Sequence, residues 1–143
     1  MAIYHANNNI ICFNNITNNN RYGIRFHGSQ YNKIYHNNFI NNNYSSQGAD
    51  DRGPNFWNAS YPNGGNYWSN WLSPDNKSGQ NQDQPGSDGI VDNPYLIAEG
   101  GSYDYYPLTT PPPPISETSP LPAIIISVIV LVGVVTIIKK KLP

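Results

Sequence analysis

Asn9-Ile10-Ile11-Cys12-Phe13-Asn14-Asn15-Ile16-Thr17-Asn18-Asn19-Asn20 and Asn32-Lys33-Ile34-Tyr35-His36-Asn37-Asn38-Phe39-Ile40-Asn41-Asn42-Asn43 are one pattern written twice, 23 residues apart. Asn9 matches Asn32, Ile11 matches Ile34, and Asn14-Asn15 match Asn37-Asn38. Ile16 matches Phe39, and Asn18-Asn19-Asn20 match Asn41-Asn42-Asn43. Between the copies, Tyr22-Gly23-Ile24-Arg25-Phe26 alternates like a strand. A period in the low twenties, built from short alternating strands and polar corners, is the signature of a solenoid. Ile11, Ile16, Ile24, Phe26, Ile34 and Phe39 are the side chains expected inside. Asn suits the corners because it tolerates left-handed backbone geometry, and stacked Asn side chains hydrogen-bond from rung to rung. Two rungs at ~4.8 Å each make a stack of only about 10 Å.

The surrounding composition agrees. The chain has 143 residues, of which 22 are Asn, 13 Pro, 12 Gly and 11 Tyr. Asn, Gly and Pro are poor helix-interior residues, so a helical bundle is excluded. Residues 1–120 carry five basic and nine acidic groups, a net charge of −4, which argues against a nucleic-acid partner. The single Cys12 excludes an internal disulfide framework.

Four composition shifts follow the repeat. Residues 1–50 read as β-helix rungs, and residues 51–108, which hold all three Trp, as an aromatic, Asp-rich cap module. Residues 109–120 read as a Pro/Ser/Thr stalk with polyproline II character. The uncharged run Leu121 to Ile138 is 18 residues long, enough at ~1.5 Å per residue to cross the hydrocarbon of a bilayer. Residues 121–138 are therefore expected to form a transmembrane α-helix. Lys139, Lys140 and Lys141 make residues 139–143 a cytoplasmic tail and place the N-terminal part outside the cell. The fold class expected is all-β: a short right-handed parallel β-helix of about two rungs with an irregular aromatic C-terminal cap, plus one C-terminal transmembrane α-helix.

Several strings carry a family resemblance: Asn55-Phe56-Trp57-Asn58, Gly64-Gly65-Asn66-Tyr67-Trp68-Ser69, Pro85-Gly86-Ser87-Asp88-Gly89-Ile90 and Asp104-Tyr105-Tyr106-Pro107-Leu108. With the Asn-rich rungs, they resemble NosD-type right-handed parallel β-helix repeats, also grouped as carbohydrate-binding and sugar-hydrolase (CASH) repeats. They look like the C-terminal module of archaeal surface proteins. That family has a further Gly where this chain has Val91. The resemblance covers about residues 7–108 and implies an exported protein. No signal peptide is legible at Met1, and Ile3-Tyr4 looks like the end of an earlier rung, so the chain is expected to be the C-terminal piece of a longer β-helix.

The chemistry is thinner. A glycoside hydrolase needs two positioned carboxylates, and residues 1–49 contain no Asp or Glu, so no enzyme is expected. The NosD resemblance implies copper handling. His5, His27, His36, Cys12 and Met1 do not stack at the 23-residue period, which argues against copper. Residues 73–94 group Asp75, Asp83, Asp88 and Asp92 with Asn81. Two readings stay open there: a Ca²⁺ ion held by these oxygens, with Asp83, Asp88 and Asp92 foremost, or a polar loop using Asp and Asn in its turns. Trp57, Tyr67, Trp68 and Trp71 read either as a plug over the solenoid end or as a carbohydrate-stacking platform. Asn15, Asn43, Asn58 and Asn76 head N-x-Ser/Thr sequons, compatible with an exported glycoprotein. The function expected is that of a single-pass, membrane-anchored cell-surface module, structural, adhesive or carbohydrate-binding, whose partners are surface glycans or envelope proteins. The alternative is a fragment of a β-helix carbohydrate-active enzyme or of a NosD-like copper-handling protein.

Overall fold

A computed structural model describes residues 1–42 and 45–113. Among the described residues the chain coils through thirteen short strands: β1 (Ala2–Tyr4), β2 (Ile10–Cys12), β3 (Asn15–Thr17), β4 (Ile24–His27), β5 (Lys33–Tyr35), β6 (Asn38–Ile40), β7 (Gly48–Asp50), β8 (Tyr67–Trp68), β9 (Lys77–Ser78), β10 (Gln84–Pro85), β11 (Tyr95–Leu96), β12 (Ala98–Glu99) and β13 (Tyr103–Asp104). Three parallel stacks make the walls of a prism. Face 1 is β1-β4-β7-β12, and face 3 is β3-β6-β8. Face 2 is β2-β5, continued by a parallel bridge from Lys33 to Phe56.

The register is the repeat. Ile3 pairs with Phe26, Ile11 with Ile34, and Ile16 with Phe39, each 23 residues on. The period holds from Lys33 to Phe56 and then lengthens, because Asn38 pairs with Tyr67. The extra residues form a turn closed by Ala59 N to Gly64 O and Asn63 N to Ser60 O. A fourth level begins where β12 adds in parallel to β7 and Leu108 bridges Tyr67.

Inward side chains fill the prism. Ile24, Phe26, Ile34, Phe39, Trp57, Trp68, Tyr95 and Ile97 form the buried core, with Ile3, Ile11 and Ile16 packed against it and partly exposed at the first level. A ring column runs along the axis: Phe39 stacks on Trp68 at 4.2 Å and Trp68 on Tyr95 at 4.1 Å. Such pairs add about 0.5–1.5 kcal/mol each beyond the area they bury.

Three polar ladders run up the corners. In the first, the amide and Nδ2 of Asn9 both donate to Asn32 Oδ1, and those of Asn32 to Asn55 Oδ1. Asn55 Nδ2 donates to Asp50 Oδ2 at 3.0 Å. In the second, Asn14 donates to Asn37, Asn37 to Asn66, and the Asn66 amide to Asp104 Oδ2 at 2.7 Å. In the third, Asn19 donates to Asn42, Asn42 to Gln47, and Gln47 to Asn70. Each middle Asn also returns an Nδ2 hydrogen to a carbonyl on the level before: Asn32 to Ala6, Asn37 to Ile11, Asn42 to Ile16.

The left-handed residues recur with the same period: Asn8 and Tyr31, Phe13 and His36, Asn18 and Asn41. Each stands immediately before a ladder Asn. The ladder residues are therefore selected for their side-chain amide rather than for a left-handed backbone, which His, Phe and Tyr supply at three of these six corners.

Two parts of the expected fold class are corrected. Among the described residues every regular element is a strand, and no helix is long and apolar enough to cross a membrane. The transmembrane helix assigned to residues 121–138 is thus no part of the architecture found; that stretch, the stalk beyond residue 113 and the tail 139–143 lie outside the described residues. The coil also makes three full turns and part of a fourth rather than about two. Residues 56–68, read as part of the aromatic cap, carry the third turn, parallel to the first two.

Candidate functional site

The interior is closed by its own chemistry. Asp104 is fully buried and accepts from the Asn66 and Tyr106 amides, Asn66 Nδ2 and Trp68 Nε1. Burial pushes its pKa up to about 7, against the pull of those donors. The Gly64-Gly65-Asn66-Tyr67-Trp68-Ser69 string serves this arrangement. A Cβ on Gly65 would collide with the Asp104 carboxylate. Asn66 is a ladder residue, Trp68 points inward, and Ser69 Oγ accepts from the Asn41 amide.

That placement decides the aromatic set. Trp57 is 0% exposed and Trp68 2%, so neither offers a ring face to a sugar. Trp71 is half-buried, donates Nε1 to Asn93 O and meets Tyr95 edge-on at 5.6 Å. Tyr67 is half-buried on β8. Of the four residues expected to stack on a carbohydrate, Trp57 and Trp68 are core, because the residues 23 before Trp57 and 29 before Trp68, Ile34 and Phe39, already face inward.

The acidic loop is held without a shared centre. Asp75 accepts from Ser87 Oγ and from the Asp88 and Gly89 amides, and Asp92 from the Asn76 and Lys77 amides. Asp88 accepts from the Gly79 and Ile90 amides and Gln82 Nε2, and Asp83 from Gln84 Nε2. Asn81 is exposed. For Asp75, partial burial raises the pKa, but the three donors outweigh it and leave the carboxyl below its ordinary value. Asp75 and Asp88 are brought together through one loop; Asp83 is not brought to them by any bond. Among the described residues no group of three or more His, Cys, Asp or Glu is placed to hold a metal ion.

Of the sequon residues, Asn15 and Asn76 are exposed, and Asn58 is half-buried with its amide tied to Tyr105 N and Ala59 O. Asn43 lies outside the described residues. On the outside of face 1, Arg25 pairs with Glu99 at 2.9 Å and His27 with Asp51 at 2.8 Å. The outside of face 2 differs. Ile10, Lys33 and Phe56 stand one above the other, with Tyr35 and Asn58 beside them, around an open cleft of about 500 Å³. Sequence reasoning passed over these residues, although 10, 33 and 56 are 23 apart and alternate with the inward 11, 34 and 57.

A family model described as periplasmic copper-binding protein (NosD) matches residues 1–73. The chain belongs to the NosD family. No curated protein and no solved structure matches it. The described residues do not fit the copper of the NosD description. His27 Nδ1 is engaged by Asp51 and His36 Nε2 by Asn63 O, at separate corners. Burial pushes the Cys12 thiol above its ordinary value, against the thiolate a soft metal takes.

Proposed function

We propose that this chain is the closed end of an exported, non-catalytic parallel β-helix that presents its outer faces to cell-surface glycans. The observation that carries the reading is the filled and capped interior. The two buried acids among the described residues, Asp50 and Asp104, are occupied as the ends of polar ladders. Asp51 and Glu99, exposed on face 1, are paired with His27 and Arg25. A glycosidase needs two carboxylates facing one another across an open cleft; the apolar cleft on face 2 has no acid in its lining. Ligand contact is left to side chains that stand outward from a rigid wall. Export is supported by the periplasmic description of the NosD family.

The test is co-sedimentation of the full chain with a panel of insoluble polysaccharides, run beside a reducing-sugar assay. Binding without release of reducing ends supports the reading. Release of reducing ends, or no binding to any member of the panel, overturns it. Copper and calcium take no part in this proposal, because the histidines are dispersed and the loop carboxylates are each engaged by N–H donors.

A further inference from the structure

Asparagine is the residue this fold uses most, and it is also chemically labile: its side-chain carbonyl carbon is open to attack by the backbone nitrogen of the residue that follows. The coil blocks that reaction twice over. The Nδ2 groups of Asn32, Asn37, Asn55 and Asn66 are held by hydrogen bonds in the ladders. The nitrogens placed to attack them, those of Lys33, Asn38, Phe56 and Tyr67, each donate to a carbonyl of the level before. The Asp-Gly pair, Asp88-Gly89, is restrained in the same way. Its carboxylate accepts from the Gly79 and Ile90 amides and Gln82 Nε2, and the Gly89 amide donates to Asp75.

Asn63 escapes both restraints. It alone of the 22 asparagines precedes a glycine, whose nitrogen has no neighbouring side chain to hinder its approach. Asn63 is exposed, in the turn that lengthens the third level. Among the described residues no hydrogen bond engages its side chain, and none takes up the Gly64 amide. The fold cannot exchange that glycine for a slower residue: its φ is 81°, and a Cβ there would collide with Leu108. His36 adds the chemistry. Its Nε2 donates to Asn63 O, the carbonyl of the peptide bond whose nitrogen attacks. Removing the Gly64 amide proton spreads negative charge from the nitrogen onto that oxygen, so a donor there favours the reactive form, as an oxyanion hole does.

We propose that Asn63-Gly64 is a self-modifying site, where the chain converts Asn63 to aspartate and isoaspartate with His36 as the polarising group. Hydroxide takes the Gly64 amide proton, and the nitrogen bonds to Asn63 Cγ. The Cγ–Nδ2 bond then breaks, and ammonia leaves with a proton from water, giving a cyclic imide. Water opens the imide at either carbonyl. Breaking the bond from Cγ to the nitrogen gives aspartate; breaking the bond from the Asn63 carbonyl carbon gives isoaspartate, with one more carbon in the backbone. The fold has no room for that carbon. Gly65, next in the chain, lies so close to Asp104 that a Cβ would collide with its carboxylate, and the Gly65 amide donates to Tyr106 O. Isoaspartate at position 63 therefore loosens the join between the third turn and the closed end. The site stands whether or not the outer faces bind glycans.

The experiment is peptide mapping by mass spectrometry of the full chain, aged in buffer from neutral to mildly alkaline pH and, in parallel, in urea. In buffer Asn63 is expected to deamidate about tenfold faster than any ladder asparagine, because its reactants alone are free to meet, and faster still as pH rises. In urea the ladder asparagines lose their protection. His36→Asn keeps a residue that tolerates the left-handed backbone at φ 54° and removes the ring. It should slow Asn63 about threefold in buffer, the worth of one exposed hydrogen bond, and leave the rate in urea unchanged. A thermal melt checks its fold; if it melts early, the parent carries the test, since polarisation by His36 requires Asn63 to react at least as fast in buffer as in urea. Hydrogen exchange on the isolated isoaspartate form should be faster at the Gly65 and Asn66 amides, with no such change in Asn63→Gln aged alike. A ladder asparagine modified ahead of Asn63, or Asn63 slower in buffer than in urea, overturns the site. An unchanged rate in a folded His36→Asn overturns the part given to His36, and unchanged exchange in the isoaspartate form overturns the loosening.

Discussion

The Asn-rich coil and the loop of residues 73–94 solve the same problem with the same bond, a side-chain oxygen accepting backbone N–H groups. In the coil the oxygen belongs to an amide whose own nitrogen donates onward, so Asn14, Asn37 and Asn66 form a line from the exposed first level into buried space. In the loop it belongs to a carboxylate, so Asp75 gathers Ser87, Asp88 and Gly89 around one point. Propagation demands that each level place an amide over the one before. Local gathering makes no such demand, and it leaves its centre near solvent, where each bond contributes less.

The sharpest way to break the coil is to remove a middle ladder residue. Asn37→Ala leaves the Asn14 amide, two carbonyls and Asn66 Oδ1 with lost partners, the last of these in a fully buried bond and the others in part-buried ones. At about 1–3 kcal/mol for each unsatisfied buried group, chemical denaturation should show a loss of about 4 kcal/mol. Asn14→Ala at the exposed first level should cost about 1 kcal/mol.

The two regions should also answer pH in opposite directions. Asp104 has its pKa raised from 3.8 to about 7 by burial, so the folded state holds the proton more tightly than the unfolded state. Its contribution is largest below about pH 4 and is lost as pH rises toward about 7, a few kcal/mol in all. Asp75 is lowered, so the stability it supplies is present above its unfolded value and is lost as pH falls through the folded one. Melting curves across pH 3–8 for the parent, Asp104→Asn and Asp75→Asn would separate the two. A parent curve in which Asp104→Asn changes no slope on the neutral side would contradict the assignment.

The tryptophans give a finer contrast. Trp68 Nε1 donates to Asp104 at 2.9 Å, whereas Trp57 Nε1 is buried with no partner. Trp68→Phe should therefore cost about 1.5–3 kcal/mol more than Trp57→Phe, measured by urea unfolding. The smallest effect belongs to the loop. Asp75→Ala should speed hydrogen exchange at the Asp88 and Gly89 amides and barely move the global melting temperature. Millimolar Ca²⁺ and chelator should leave that exchange alike, since N–H donors already meet the carboxylates.

How much of this was legible follows from the same contrast. Period 23 announced the coil, and the inward set Ile11, Ile16, Ile24, Phe26, Ile34 and Phe39 follows from it directly. The third turn was legible too, since Asn55, Phe56 and Trp57 stand 23 beyond Asn32, Lys33 and Ile34. Its Trp and Gly content drew the eye toward a cap, and the six-residue excursion before Asn66 hid the last repeat of the ladder. The outward column on face 2 was concealed by its mixed composition: Ile10, Lys33 and Phe56 share no chemical type. In the acidic loop the carboxylates suggested a cation because sequence shows the charges and not the backbone hydrogens folded around them.

The two carboxylates at the ladder tops have a further meaning. An amide takes in a hydrogen bond on one side and hands one on at the other, so a column of Asn behaves as a polymer with a head and a tail. In place of the Asn amide, Asp50 and Asp104 put a carboxyl group that in its ionised form acts as a chain terminator: it receives, and has nothing to transmit. The length of these two ladders is thus written at two of the three corners in a choice between nitrogen and oxygen. A longer ladder would have to restore the amide at those two positions.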